Sequence, residues 1–153
     1  PEVDPNRIAV VGISMAGYYA PRATAFEPRV KAYIGWSGCY SVLEDLYLFC
    51  PNLQPTVRRL LGGVTDEEAR ERLKAFTMEG IAQNIKCPTL ITHGGHDIRM
   101  SVEGAKRLFN EIGANDKTLK IYDDPKAGGT IHCSHDYWAH NVPFMLDWLE
   151  ERL

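Results

Sequence analysis

No apolar run in this chain of 153 residues approaches the roughly 18 that a membrane-spanning helix needs, so no membrane partner is expected. Concentrated positive charge is also missing. The 17 basic residues are outnumbered by 20 acidic ones, the net charge is -3, and no Lys/Arg cluster is longer than Arg58-Arg59. That excludes a strongly basic nucleic-acid binder. The four cysteines, Cys39, Cys50, Cys87 and Cys133, fall at irregular spacing with no CxxC pair. They read as reduced thiols of a cytoplasmic protein, although their even number leaves disulfides open. The opening Pro1-Glu2-Val3-Asp4-Pro5 has no Met, no basic n-region and no apolar h-region. It reads as neither a signal peptide nor the original start of the protein. Internal repeats and low-complexity stretches are absent as well.

What remains is 44% hydrophobic and 24% charged, the make-up of one globular domain with a sizeable core. After the turn cluster Asp4-Pro5-Asn6, residues 7–13 (RIAVVGI) are apolar and β-branched without alternation. That pattern predicts a central parallel strand buried on both faces. The small-residue stretch 14–26 predicts a helix ending before Pro28, with Pro21 a potential kink. Further strands are expected over 30–36, 89–93 and 118–122. Helical stripes run through Val102, Ala105, Leu108, Phe109 and Ile112, and through Trp138, Val142, Leu146 and Leu149. This alternation predicts an α/β domain with a mostly parallel sheet and flanking helices. Residues 39–86 interrupt the rhythm with no good strand, but with capping-box spacings at Ser41–Glu44 and Thr65–Glu68. They are expected to form a short helical insertion, either crossover helices or a cap over the end of the sheet.

Three stretches carry chemistry. In Gly12-Ile13-Ser14-Met15-Ala16-Gly17 a strand runs into a helix through a serine with small residues two before and two after it. A nucleophile elbow needs that spacing, because the turn is too tight for larger side chains. Ser14 would then sit at a helix amino terminus, and the Met15 N–H would be one oxyanion donor. Read blandly, Ser14 is only an N-cap. In Thr92-His93-Gly94-Gly95-His96-Asp97 an acid follows a strand, placing Asp97 at the same end of the sheet as Ser14. Asp123 and Asp124, which follow the last strand, are its rivals. In Ile131-His132-Cys133-Ser134-His135, His132 and His135 compete for the general base, with His135 beside a helix start that Ser134 or Asp136 could cap. The order Ser14, Asp97, His132 is nucleophile, acid, base.

These residues resemble the α/β-hydrolase superfamily at the elbow (residues 4–14 and 28–32) and at the acid loop (residues 87–97). Residues 27–32, 34–38 and the His132-Cys133-Ser134-His135 stretch resemble, more narrowly, the 2,6-dihydroxypseudooxynicotine hydrolase type of carbon–carbon hydrolase. Fermentation-respiration-switch-type esterases are related to it. The resemblance favours His132 over His135 as base. It implies a C-terminal part of the α/β-hydrolase fold, with strands and a second oxyanion donor supplied from upstream in the same protein. It differs in placing Ala16 where that family usually has Gly. The expected activity is cleavage of a C–C bond in an aryl ketone, or of an ester, through an acyl-enzyme. A prolyl-oligopeptidase-type peptidase and a non-catalytic binding protein on the same fold are the alternatives.

Tyr18 and Tyr40, near the carboxyl ends of the strands, are expected to touch a small-molecule substrate. No cofactor or metal is required. His93, His96, His132 and His135 lack the HxHxDH and HExxH spacings of a zinc site. The sequence leaves room for a homodimer.

Overall fold

The computed structural model describes residues 3–153, so Pro1 and Glu2 of the opening segment lie outside the described residues. Four parallel strands, β1 (Ala9–Ile13), β2 (Ala32–Trp36), β3 (Thr89–Gly94) and β4 (Lys117–Tyr122), pair in their sequence order. Helices α1 (Ala16–Thr24), α4 (Val102–Glu111) and α5 (Trp138–Glu150) flank the sheet. Every residue of β2 and β3 is buried, as expected of parallel strands covered on both faces. The expected elements are therefore present, with ends moved by one or two residues.

Alternate residues of each strand feed two cores. Tyr33 and Ile91 point into one, with Tyr18, Tyr40, Tyr47, Met100 and Leu108. Ala32, Ile34, Trp36 and Leu90 point into the other and meet Met145 and Trp148 of α5. Within the described residues β1 pairs with β2 alone and stands at the edge of the sheet, as the resemblance to the C-terminal part of the fold implies, and unlike β2 and β3 it is not buried on both faces. Val11 and Ile13, in register with Ile34 and Trp36, are each 45% exposed.

Residues 39–86 fold as expected without a strand. They form a π-helical turn (Leu43–Leu48), a 3-10 turn (Pro51–Leu53), α2 (Gln54–Leu60), α3 (Asp66–Leu73) and a second 3-10 turn (Ala82–Asn84). The Thr65 capping box is complete, with hydroxyl and carboxylate each taking a backbone N–H. At Ser41 only half of the motif forms. Its Oγ accepts from the Glu44 N–H at 3.2 Å, and Asp45 Oδ2 takes the N–H groups of Tyr40 and Ser41 instead. A buried carboxylate held this way fixes the path of the chain as it leaves β2. Among the described residues no helix is long and apolar enough to cross a membrane.

Candidate active site

β1 does not merge smoothly into α1. Ser14 lies between them with φ 56°, a left-handed conformation that non-glycine residues adopt at a cost of order 1–3 kcal/mol. Its N–H still continues the sheet, donating to the Trp36 carbonyl at 2.9 Å, while its own carbonyl accepts from the Gly17 N–H at 2.8 Å. The chain thus reverses within one residue. A Cβ on Gly12 would stand 2.5 Å from the Ala16 carbonyl oxygen and 2.6 Å from the Ala20 Cβ, so helix and strand close only over glycine. Gly17 meets Gly38 in the same manner, backbone against backbone, and fixes where α1 sits relative to the end of β2. Ala16, at the position where glycine is usual, is exposed and meets no obstacle. The Met15 N–H opens the amino end of α1, where the partial positive charge of the helix collects.

The acid and base loops cross each other. The Gly95 N–H donates to the Tyr122 carbonyl at 2.7 Å and the His96 N–H to the Thr130 carbonyl at 2.8 Å. Gly94 lies so close under the carbonyls of Thr130 and Ile131 that a side chain there would strike them. That crossing brings His132 over Asp97. His132 Nδ1 is 2.7 Å from Asp97 Oδ2, and its Nε2 is 2.8 Å from Ser14 Oγ. A carboxylate can only accept, so Nδ1 carries a hydrogen, and in the neutral imidazole Nε2 accepts from the Ser14 hydroxyl. Asp97 Oδ1 takes the N–H groups of Arg99 (2.8 Å) and Met100 (3.0 Å).

These contacts set the charges. Burial by itself would raise the Asp97 carboxyl, but the His132 hydrogen bond and the two N–H donors outweigh it and hold the group below its ordinary value. Burial would likewise lower His132. The hydrogen bond and charge of Asp97 prevail, and the imidazole is pushed up to about 9. Asp97 therefore stays ionised and favours the imidazolium.

Several residues support the site in roles that their motifs did not suggest. His93 is fully buried on β3. Its Nε2–H donates to the Met100 carbonyl at 3.1 Å and stands 3.4 Å from Asp97 Oδ2, bracing the acid turn from behind, and burial keeps its pKa low. Ser37, with φ 49°, accepts from the Cys133 N–H at 3.0 Å through its Oγ and ties the base loop to the end of β2. Asp136 was a candidate helix cap. It instead accepts from the Thr130 N–H at 3.0 Å and holds the base loop, and α5 starts at Trp138 with no side-chain cap.

The competing residues lie elsewhere. His135 is exposed and packs on the Trp138 ring, 5.3 Å between centroids. Asp124 is exposed and caps a local turn through the Lys126 N–H, and exposed Asp123 offers its backbone carbonyl to His96. Tyr18 and Tyr40 require correction. They are 2% and 1% exposed, belong to the core, and spend their hydroxyls on Arg22 and Glu111. The aromatic side chains that line a cavity of about 280 Å³ together with Ser14 are instead Tyr19, 53% exposed, and Phe76. Met15, Met100 and apolar side chains of residues 42–73 also line it. Among the described residues no three His, Cys, Asp or Glu side chains are grouped to hold a metal ion.

The chain matches the family model described as the prolyl oligopeptidase family over residues 2–153. It is 31% identical over 149 residues to 2,6-dihydropseudooxynicotine hydrolase of Paenarthrobacter nicotinovorans, covering 97% of this chain and 39% of that protein. It is 45% identical over 186 residues to Hydrolase acrC of Aspergillus aculeatus, covering 98% of this chain and 43% of the relative. The chain thus spans about two fifths of these relatives. The crystal structure of 2,6-dihydroxy-pseudo-oxynicotine hydrolase superposes with a TM-score of 0.83 at 29% identity, over 99% of this chain and 41% of that one. An acetyl xylan esterase from Thermoanaerobacterium shares the fold at a TM-score of 0.71 and 22% identity, over 99% of this chain and 47% of the esterase.

Proposed function

We propose that this chain, which belongs to the prolyl oligopeptidase family, carries the catalytic machinery of a serine hydrolase acting on a carbonyl compound with an apolar acyl part. The observation that carries the reading is one unbroken chain of contacts, Ser14 Oγ to His132 Nε2 at 2.8 Å and His132 Nδ1 to Asp97 Oδ2 at 2.7 Å. It joins residues far apart in sequence and ends on a serine held in a strained turn. In this reading Ser14 Oγ attacks the carbonyl carbon while its proton passes to His132 Nε2. Asp97 orients the imidazole and stabilises the imidazolium. The Met15 N–H donates to the oxygen as it becomes negative. His132 returns the proton to the leaving group, the alkoxide of an ester, which departs as the alcohol, or the carbanion or enolate of a ketone. Water, deprotonated by His132, then releases the acid and restores Ser14.

A C–C bond in a ketone or an ester is the preferred target, by similarity to the named hydrolases. A peptide bond is the second reading, which the family description favours. Labelling by a fluorophosphonate, followed by a panel of aryl ketones, aryl esters and peptide anilides, tests the reading. Absence of both labelling and turnover would overturn it. The four free thiols suit a reducing compartment such as the cytoplasm.

Asp97→Asn is expected to preserve the fold and to lower kcat by about 10⁴, because the amide holds the imidazole in the wrong tautomer. Its pH profile carries a second signature. Neutral His132 is the active form, and Asp97 raises its pKa, so kcat/KM of the parent protein climbs with pH along a limb above that of a free imidazole, toward about 9. Removing the charge should move that limb to lower pH. Asp124→Asn should stay within about twofold, as expected of a surface change. Equal losses for the two variants would remove Asp97 from the acid role.

The open edge of β1 is read as the place where an upstream segment of the same protein adds a strand. Residues 1–153 expressed alone should therefore self-associate through β1, whose exposed Val11 and Ile13 make it an aggregation template. The double change Val11→Lys, Ile13→Lys should shift that material toward monomer in light scattering. A monomeric parent fragment with a sharp melt would contradict this reading.

A further inference from the structure

His93 stands next to last on β3, buried on the face it shares with Ile91. Its Nε2 has two neighbours, and both can only accept. The Met100 carbonyl lies at 3.1 Å and Asp97 Oδ2 at 3.4 Å. Nε2 therefore carries the hydrogen. Nδ1 is buried with no partner among the described residues. A leucine would fill comparable space with no ring nitrogen left unbonded, so a histidine here is explained by what Nε2 touches.

Asp97 Oδ2 is also the atom that meets His132 Nδ1, at 2.7 Å. One carboxylate oxygen thus faces the base on one side and the His93 N–H on the other. A donor dipole beside a carboxylate stabilises its charge and makes it a weaker acceptor for its other partner. The titratable groups that face His93 are Asp97 from the acid turn and His132, with Cys133 beside it, from the base loop. Helix α4, packed on the same face, turns Ala105 and Leu108 inward and keeps Glu103, Lys106 and Arg107 at the surface. Strand β4 offers Ile121 in register. Asp45, also buried, turns its carboxylate to the N–H groups of Tyr40 and Ser41. Burial keeps the His93 imidazole neutral, so it acts on Asp97 as a fixed dipole and not as a second positive charge.

We propose that His93 is a positioning residue whose Nε2–H, shared between Met100 and Asp97, tempers the pull of the acid on the His132 proton. The kinetic arm of its test rests on the reading of His132 as general base, and the titration arm does not. The sign of the effect separates this role from simple support. Without the His93 N–H, Asp97 holds the imidazolium more strongly, and His132 titrates at higher pH. If His93 only propped the turn, its loss would slacken the Asp97 contact, and His132 would titrate at lower pH, as expected of Asp97→Asn. Asp97 keeps the Arg99 and Met100 N–H donors in either case, so the turn has other support.

The full-length protein is compared with His93→Leu, which loses the donor, and His93→Gln, whose amide N–H can stand where Nε2–H does. The His132 ring is titrated by NMR with 15N-labelled histidine, its signals assigned by their loss in His132→Ala. The pH profile of kcat/KM is measured with an aryl ester. In His93→Leu the His132 midpoint should rise by roughly half a unit, a fraction of the 1–3 units that a full neighbouring charge produces. The limb of kcat/KM should move upward with it, and His93→Gln should return both toward the parent. A midpoint unchanged or lowered in a folded His93→Leu protein would overturn the proposal and leave the hydrolase reading intact. Should that variant not fold, His93→Asn replaces it, because its amide reaches only to where Nδ1 stands. The same rise is expected there, and its absence is equally fatal. A midpoint that rises in a protein with no turnover of any ester would sink the hydrolase reading and leave the role of His93 standing.

Discussion

Ser14→Ala is expected to lower kcat by on the order of 10⁶, leaving only what binding and oxyanion stabilisation supply. The basis is geometric. The Ser14 hydroxyl is the one group of the elbow in contact with His132, at 2.8 Å, and removing it leaves the imidazole with no nucleophile to activate. The backbone should tolerate the change, because alanine meets the same strain at φ 56° that serine does. The melting temperature should therefore stay within a few degrees of the parent. Turnover of an aryl ester and the mass increase after fluorophosphonate treatment are the two measurements. Activity within about tenfold of the parent would remove Ser14 from the mechanism.

The second large effect is expected at the base. His132→Ala should cost about as much as loss of the nucleophile, since the members of such a triad act as a unit. His135→Ala should cost no more than about twofold. The two histidines are three residues apart, yet their surroundings differ in kind. Cys133 and Ser134 both take positive φ, near 51°, and this tight turn sends His132 inward onto Asp97 while His135 is left on the surface against Trp138. Purified variants compared at one pH on the plateau of the profile would decide it. An inactive His135 variant beside an active His132 variant would reverse the assignment.

Residues whose roles sequence reasoning missed act mostly on backbone groups. Ser37 bonds a backbone N–H 96 residues away, whereas His93 and Asp136 bond backbone groups of their own loops, at Met100 and Thr130. Some signals were present. The Gly94-Gly95 pair marks where the base loop crosses the acid loop, and a histidine directly before it is well placed to brace the acid. The tyrosines failed for a different reason. Successive residues on a helix point about 100° apart, so Tyr18 and Tyr19 face core and cavity respectively, and a short amphipathic stretch does not say which is which.

From the sequence alone, the chemistry and order of the elements could be read. β-branched apolar runs can be stable only as buried strands, small residues around Ser14 permit a turn that larger ones forbid, and Pro and Gly punctuate the helices. These are local constraints of sterics and hydrophobicity, carried by neighbours in the chain. The resemblance favoured His132 over His135 and an upstream neighbour for β1; tertiary structure alone decided how the acid and base loops cross and which tyrosine is core. Those outcomes depend on loop crossings and packing faces, where contacts tens of residues apart compete and periodicity is silent.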